Sequence, residues 1–336
     1  MSNIPPIEDV GSLIYAPLPE QPPFLFPGLI PQWGAVAIVA ETNLGKSLLA
    51  LEIGASAVTG EPLWGAIEPT KTAKKVVYFL AEHSEYTLQD LYHKTRLPHS
   101  GQFWIVGPDK MKPSKALVRG GQADQEAVDR LTKWSEGADL VVFDPLSAYV
   151  QGANAEQDNA VMRLVLDQMQ LIAQTNNAAC LILAHEGKPQ SFMGHETKRK
   201  TYKIRGASSI EDALTHVFYF DKGQTANSYV LDLERKFKGT PLVGQIHLSR
   251  DAETLQHRML NAPPLTAKQN RLIKFKTEIA ALSREYPDLS ITKKVPMAAT
   301  RAGVGKTAGW EYWKQIGHSD SPGNTYIEAP GVPELE

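Results

Sequence analysis

The sequence predicts an α/β protein built on a mostly parallel sheet, followed by a small helical module. Three observations carry that expectation. Short apolar runs alternate with helical patterns from Trp33 to about Ser249. The runs are continuously apolar rather than alternating, as expected of strands covered on both faces. The chain of 336 residues is also long enough for one large α/β domain plus a small extra unit.

The expected strands are 35–40, 75–80, 103–106, 140–143 and 180–184, and the helices between them include 122–136 and 159–175. Three later runs, 216–220, 229–233 and 243–248, have no helices between them and predict an antiparallel extension of the sheet. Residues 1–30 form a proline-rich arm, broken at Pro5, Pro6, Pro17, Pro19, Pro22 and Pro23. That arm either hangs free or packs Phe24, Leu25 and Phe26 onto a neighbouring subunit. The core is expected over 31–250 and a polar linker over 251–266. The remaining module, 267–330, reads as a long helix (267–284), a second element (291–299), a turn at Gly303, and a helix through Trp310 and Ile316. A closing strand at Thr325-Tyr326-Ile327 completes the order of a winged helix-turn-helix.

Charge narrows the partners. With 35 Lys and Arg against 37 Asp and Glu, the net charge of -2 excludes a surface coated in positive charge, so any nucleic-acid contact must come from a local basic patch. The single cysteine, Cys180, lies inside an apolar run and reads as core filler. No N-terminal segment resembles a signal peptide and no run is long enough to span a bilayer, so a soluble, cytoplasmic protein is expected.

The chemistry gathers at the strand ends, where open parallel sheets bind their ligands. After strand 35–40 comes Ala40-Glu41-Thr42-Asn43-Leu44-Gly45-Lys46-Ser47, followed at once by a helix ending near Gly60. Strand, tight loop and helix N-terminus aim backbone N–H groups and the positive end of the helix dipole at an anion. Ala40, Asn43, Leu44, Gly45, Lys46 and Ser47 are therefore expected to cradle the phosphates of ATP. Lys46 would reach the β/γ-phosphates and the Ser47 hydroxyl would hold Mg²⁺. The second strand ends in Ala81-Glu82-His83-Ser84. Glu82 is placed to orient a water in line with the γ-phosphate, the plainer alternative being a capping or surface glutamate. Strand 140–143 runs into Asp144, expected to hold the magnesium shell opposite Ser47. The last parallel strand ends at His185, either a γ-phosphate sensor or a turn histidine.

Beyond His185 lies a long polar loop carrying Lys188, Lys198, Arg199, Lys200 and Lys203, interleaved with Phe192 and Tyr202. Cations and aromatics in that mixture suit single-stranded nucleic acid, the alternative being a solvated loop. A second Gly-x-Gly-Lys-Thr at 303–307 imitates a phosphate loop. It follows a stretch containing Pro296 and two lysines, which spoils a buried strand, so it fits the turn and second helix of a helix-turn-helix better. Lys306 there meets a phosphate backbone or simply solvent.

Taken in order, 40–47, 81–84, 142–146, 183–188 and Ile204-Arg205-Gly206-Ala207-Ser208-Ser209-Ile210 resemble the RecA-like ATPases of the plasmid RepA type. These are hexameric replicative helicases, more distantly related to the DnaB type, and the likeness covers roughly residues 25–250. The resemblance implies ATP bound between subunits of a hexameric ring, with single-stranded DNA through its pore and a replication initiator or primase as partner. It implies Glu82 as catalytic glutamate, Asp144 as the Walker B acid and His185 in the nucleotide-sensing motif. It implies Arg205 as the finger reaching into the neighbouring subunit's site. Lys236-Phe237-Lys238-Gly239 resembles the later basic motif of the DnaB type. The chain departs from the family at Ala40, where a first glycine is usual and a tighter loop is implied. It also departs at Ala184, often histidine, and at Lys238, arginine in the DnaB type. The expected activity is that of an ATP-driven motor on single-stranded DNA. The alternatives are a repair or recombination ATPase that does not unwind, and a nucleotide-gated DNA-binding regulator.

Overall fold

The computed structural model describes residues 24–32, 34–82, 85–97, 101–152, 155–187, 208–235, 244–261 and 267–316. The chain divides into two compact units, Met1–Ala262 and Pro263–Glu336.

The first unit opens with strands β1 (Phe24–Phe26) and β2 (Ile30–Pro31), an antiparallel pair. Gly28, with φ of 69°, supplies the left-handed turn between them. Then come β3 (Ala35–Ala40), helix α1 (Lys46–Thr59), β4 (Val76–Leu80), α2 (Glu85–Thr95), β5 (Phe103–Val106), β6 (Val118–Arg119), β7 (Gln122–Ala123), α3 (Gln125–Trp134) and β8 (Leu140–Asp144). After β9 (Val150–Gln151) follow α4 (Asn159–Thr175), β10 (Ala179–His185), α5 (Ser208–Ala213), β11 (His216–Lys222), β12 (Ser228–Arg235), β13 (Gln245–Arg250) and β14 (His257–Leu260).

Nine of these strands make one sheet in the order β14-β13-β12-β11-β3-β10-β8-β4-β5. From β11 through β5 every pairing is parallel, and β12, β13 and β14 add an antiparallel wing. This is the expected layout of a mostly parallel sheet with an antiparallel extension. Because side chains alternate across a strand, β3 divides its residues between two cores. Val36, Ile38 and Ala40 face the side covered by α1, through Leu49 and Ile53. Ala35, Ala37 and Val39 face the side covered by α3 and α4, through Leu131, Met162, Val165 and Met169. The buried side chains on both faces explain why the strands read as unbroken apolar runs.

Two expectations are corrected here. Leu25 and Phe26 are 0 % exposed within the core of their own chain, so this part of the arm does not pack onto a neighbouring subunit. The stretch 251–266 is not a linker throughout, because His257–Leu260 forms β14 on the sheet. The arm before Phe24 and the linker residues 262–266 lie outside the described residues.

The second unit holds α6 (Ala267–Glu285), α7 (Ile291–Arg301) and α8 (Lys306–Gln315) around a core of Phe275, Ile279, Leu282, Val295, Ala298, Ala299, Tyr312 and Trp313. Gly303 takes φ of 70° in the turn between α7 and α8, where the Val304 N–H returns to the Ala299 carbonyl. The second Gly-Lys-Thr thus follows a helix rather than a strand, as expected of a helix-turn-helix. Gly309 lets α8 lie close on α7, since a Cβ there would come 2.7 Å from the Ala299 Cβ. The expected closing strand at 325–327 lies outside the described residues. Among the described residues no helix is long and apolar enough to cross a membrane.

Candidate functional site

The parallel strands bring the ends of β3, β4, β8 and β10 to one edge of the sheet. A strand sits between the phosphate-loop strand and the Asp144 strand: β10 pairs with β3 on one side and β8 on the other. This order places His185, which ends β10, opposite Ala40 at the mouth of the loop.

The loop itself is shaped by two left-handed residues, Asn43 (φ 62°) and Gly45 (φ 112°). Gly45 caps α1 with no side-chain hydrogen bond, and α1 has no acid in its first turn. The contrast with α3 and α4 is informative. There, Asp124 accepts from the Ala127 N–H, and Asp158 from the N–H groups of Ala160 and Val161. A helix start without its own anion suits an anion from outside. Ala40 is the last regular residue of β3, and its buried side chain lies in the α1-side core. A glycine is not needed at that place.

Lys46 is buried, with 6 % of its surface exposed. Its Nζ donates to the carbonyls of Ala40 and Glu41 at 3.0 Å each and lies 3.2 Å from His185 Nδ1. Burial lowers the ammonium's pKa, opposed by the negative charges of Asp144, Glu82 and Glu186. Three acids thus act on one lysine. His185 Nδ1 also lies 3.4 Å from the Thr42 hydroxyl, tying the end of β10 to the loop.

Ser47, the second residue of α1, donates from Oγ to Asp144 Oδ2 at 2.6 Å. The Tyr78 hydroxyl donates to the same oxygen at 2.6 Å from the neighbouring strand. Asp144 is 3 % exposed, so both donors compensate a buried carboxylate. Burial and the Asp144 charge together push the Tyr78 phenol well above its ordinary range, which keeps it a donor. Around them, the Ala81 N–H donates to the Asp144 carbonyl, the Tyr149 hydroxyl to the Phe79 carbonyl, and Lys115 Nζ to the Ala81 carbonyl. These bonds fix the backbone from which Glu82 projects, exposed, at the rim.

The donor set fits a magnesium-bound nucleoside triphosphate. Uncapped N–H groups and Lys46 suit the phosphates, while a serine hydroxyl beside a buried aspartate suits a hard divalent cation. Of the expected site residues, the structure brings Ala40, Asn43, Leu44, Gly45, Lys46, Ser47, Glu82, Asp144 and His185 to one edge. Arg205, Lys188, Lys198, Arg199, Lys200 and Lys203 lie outside the described residues, as do His83, Ser84 and Lys238. Sequence reasoning missed Tyr78, Thr42, Glu186 and Lys115. Of these only Tyr78 left a trace, as the one polar atom inside an apolar strand.

Fold and site together define a phosphate-loop nucleotide-binding protein of the α/β class. Comparison with known proteins agrees: residues 6–191, more than half of the chain, match the model of the AAA domain family, and the chain belongs to that family. No curated protein matches it. Among solved structures it is similar to a KaiC-like protein of the hyperthermophilic archaeon Pyrococcus horikoshii OT3, at 12 % identity and a TM-score of 0.44. It is likewise similar to the RadB recombinase, at 17 % identity and a TM-score of 0.44. Each alignment covers 70 % of this chain and 93 % of the other.

Proposed function

We propose that the protein is an ATP-dependent, ring-forming motor that translocates on single-stranded DNA, acting as a replicative helicase of a plasmid, phage or mobile element. The observation that carries the reading is the placement of His185. It ends β10 against both the loop and Lys46, and the basic segment carrying Lys188, Lys198, Arg199, Lys200 and Lys203 follows it directly in sequence. In this reading His185 passes the nucleotide state to the DNA-gripping segment that follows it in sequence.

In this reading the N–H groups from Asn43 to Ser47 and the Lys46 ammonium hold the triphosphate. Ser47 and Asp144 hold Mg²⁺, which when bound neutralises charge on the phosphates. Tyr78 orients Asp144 for that task. Glu82, exposed at the rim, positions the attacking water and takes its proton. Arg205 reaches the neighbouring subunit's phosphates, so that turnover depends on assembly. The helices α7 and α8 bind duplex DNA or a replication partner such as an initiator or primase.

The competing reading is a repair or recombination ATPase that does not unwind, supported by the same site. Strand displacement on forked DNA separates the two: a helicase releases the displaced strand only with hydrolysable ATP. A protein whose hydrolysis is stimulated by single-stranded DNA but which leaves every fork intact is the recombination type. ATP binding with no stimulated hydrolysis rejects both in favour of a nucleotide-gated regulator.

A further inference from the structure

A largely buried polar chain runs behind the phosphate loop, and nothing in the reading above uses it. Glu52 and His257 are 5 % and 4 % exposed. Glu52 lies on α1, the helix that the loop begins, and accepts three hydrogen bonds. The donors are the Trp64 indole N–H (2.9 Å), the His257 backbone N–H (2.7 Å) and the His257 ring at Nδ1 (2.9 Å). With Nδ1 carrying the proton toward the carboxylate, His257 Nε2 is left as an acceptor. It takes the Arg250 Nε–H at 3.1 Å. Arg250 then donates from Nη2 to the Leu44 carbonyl at 2.8 Å, inside the phosphate loop. The Tyr229 ring lies under the guanidinium, 4.0 Å from its carbon.

We propose that Arg250 is a positioning residue that locks the phosphate loop in its anion-binding form, and that His257 and Glu52 exist to aim it. This rests on the nucleotide-binding reading of the loop. A loop whose N–H groups face an anion must turn its carbonyls outward, and a buried outward carbonyl needs a donor. Leu44 is buried, and Arg250 is that donor. The contact is close: a Cβ on Gly45 would come 2.5 Å from Arg250 Nη2, so glycine serves there both the φ of 112° and the approach of the arginine. The fork matters as well as the charge. Nε and Nη2 are engaged at once, by His257 and by Leu44, which a lysine cannot reproduce. Burying a carboxylate and an imidazole beneath a half-buried guanidinium is a costly way to join a hairpin to a helix, and the chain ends on a loop carbonyl rather than in the core. The circuit is closed, since α1 carries both the loop at its start and Glu52 at its second turn.

The test is ATP binding to the full-length protein with Mg²⁺, measured by titration calorimetry well below the unfolding temperature. Wild type and Lys46→Ala serve as references. Arg250→Ala is expected to weaken binding roughly tenfold to a hundredfold, as expected when a loop loses its geometry. Arg250→Lys should recover little of that loss. His257→Ala should weaken binding when made alone and add little in the Arg250→Ala background. Unchanged affinity in folded Arg250→Ala overturns the proposal. Full rescue by lysine overturns the fork, and additive losses overturn the relay. Should Arg250→Ala not fold, Tyr229→Leu, which leaves the buried charges intact, must weaken binding by itself or the proposal fails. If wild type does not bind ATP, it is the nucleotide reading that falls; binding lost in Lys46→Ala but kept in Arg250→Ala sinks only the role of Arg250.

Discussion

Ser47 Oγ donates to Asp144 Oδ2 at 2.6 Å across 97 positions of sequence. One residue lies in the first turn of the helix after the first parallel strand and the other ends β8. Their meeting is possible because strand order, rather than chain order, fixes which ends are neighbours. In the proposed reading, the hydroxyl that now satisfies the carboxylate would turn toward the cation.

Tyr78→Phe removes one of the two donors to that oxygen while keeping the ring in the core. A lost hydrogen bond to a buried charged group costs about 1.5–3 kcal/mol. Urea denaturation should show a loss of that size. ATP hydrolysis should need more Mg²⁺ to saturate, since Asp144 is less firmly aimed. Unchanged stability would mean that Asp144 is held without the phenol.

Glu82→Gln should bind ATP as wild type does and lose turnover by roughly 10²–10⁴-fold, the usual range for a general base. Steady-state hydrolysis with and without single-stranded DNA checks it. Hydrolysis at the wild-type rate would move the base elsewhere, with Glu186 as the next carboxylate in the field of Lys46.

The pH response of Lys46 has a defined sign. Burial lowers its folded pKa below the ordinary value of 10.5, so the unfolded chain holds this proton to higher pH than the folded one. Between the lowered value and 10.5, raising the pH should therefore stabilise the unliganded protein through this group. ATP binding, which needs the ammonium, should weaken over the same window. Asp144→Asn removes the largest opposing charge and should move the alkaline fall in Mg²⁺-free ATP binding to lower pH. A fall at the same pH in both proteins would refute the coupling.

In the second unit, Gly309→Val places carbons where a Cβ already comes 2.7 Å from Ala299. Overpacking of this kind costs about 1–3 kcal/mol. Limited proteolysis should cut the variant within 263–336 faster than wild type, with residues 24–261 cut at the wild-type rate.

Burial pushes the Cys180 thiol far above its usual range, and the side chain is 2 % exposed. Iodoacetamide should leave the native protein unmodified and alkylate it fully in urea. Rapid labelling of the folded protein would contradict its place in β10.

Much of this was legible in the sequence because its signals are local. The β3, β4, β8 and β10 strands stand out as apolar runs, since both faces are buried. Glu82, Asp144 and His185 are found simply by asking what ends each run. The remainder was hidden for identifiable reasons. β14 is half exposed and carries His257 and Arg258 in place of an apolar run, so it passes for a linker. Glu52 sits within the apolar stretch 48–55 of its helix, 205 positions from the imidazole that explains it. Phe24–Phe26 lies among prolines that break a helix yet allow a two-stranded turn. Sequence spacing cannot register a bond between residues that only the sheet order brings together.

The last strand of the sheet, β14, ends at Leu260, and the boundary between the compact units falls two residues later, after Ala262. Among the described residues, every ladder and every buried cluster of the first unit is therefore complete before the second begins. The gene is thus divisible at that codon. A shortened product would retain the whole cradle, and whatever it no longer does could be credited to Pro263–Glu336, whose described residues form three helices.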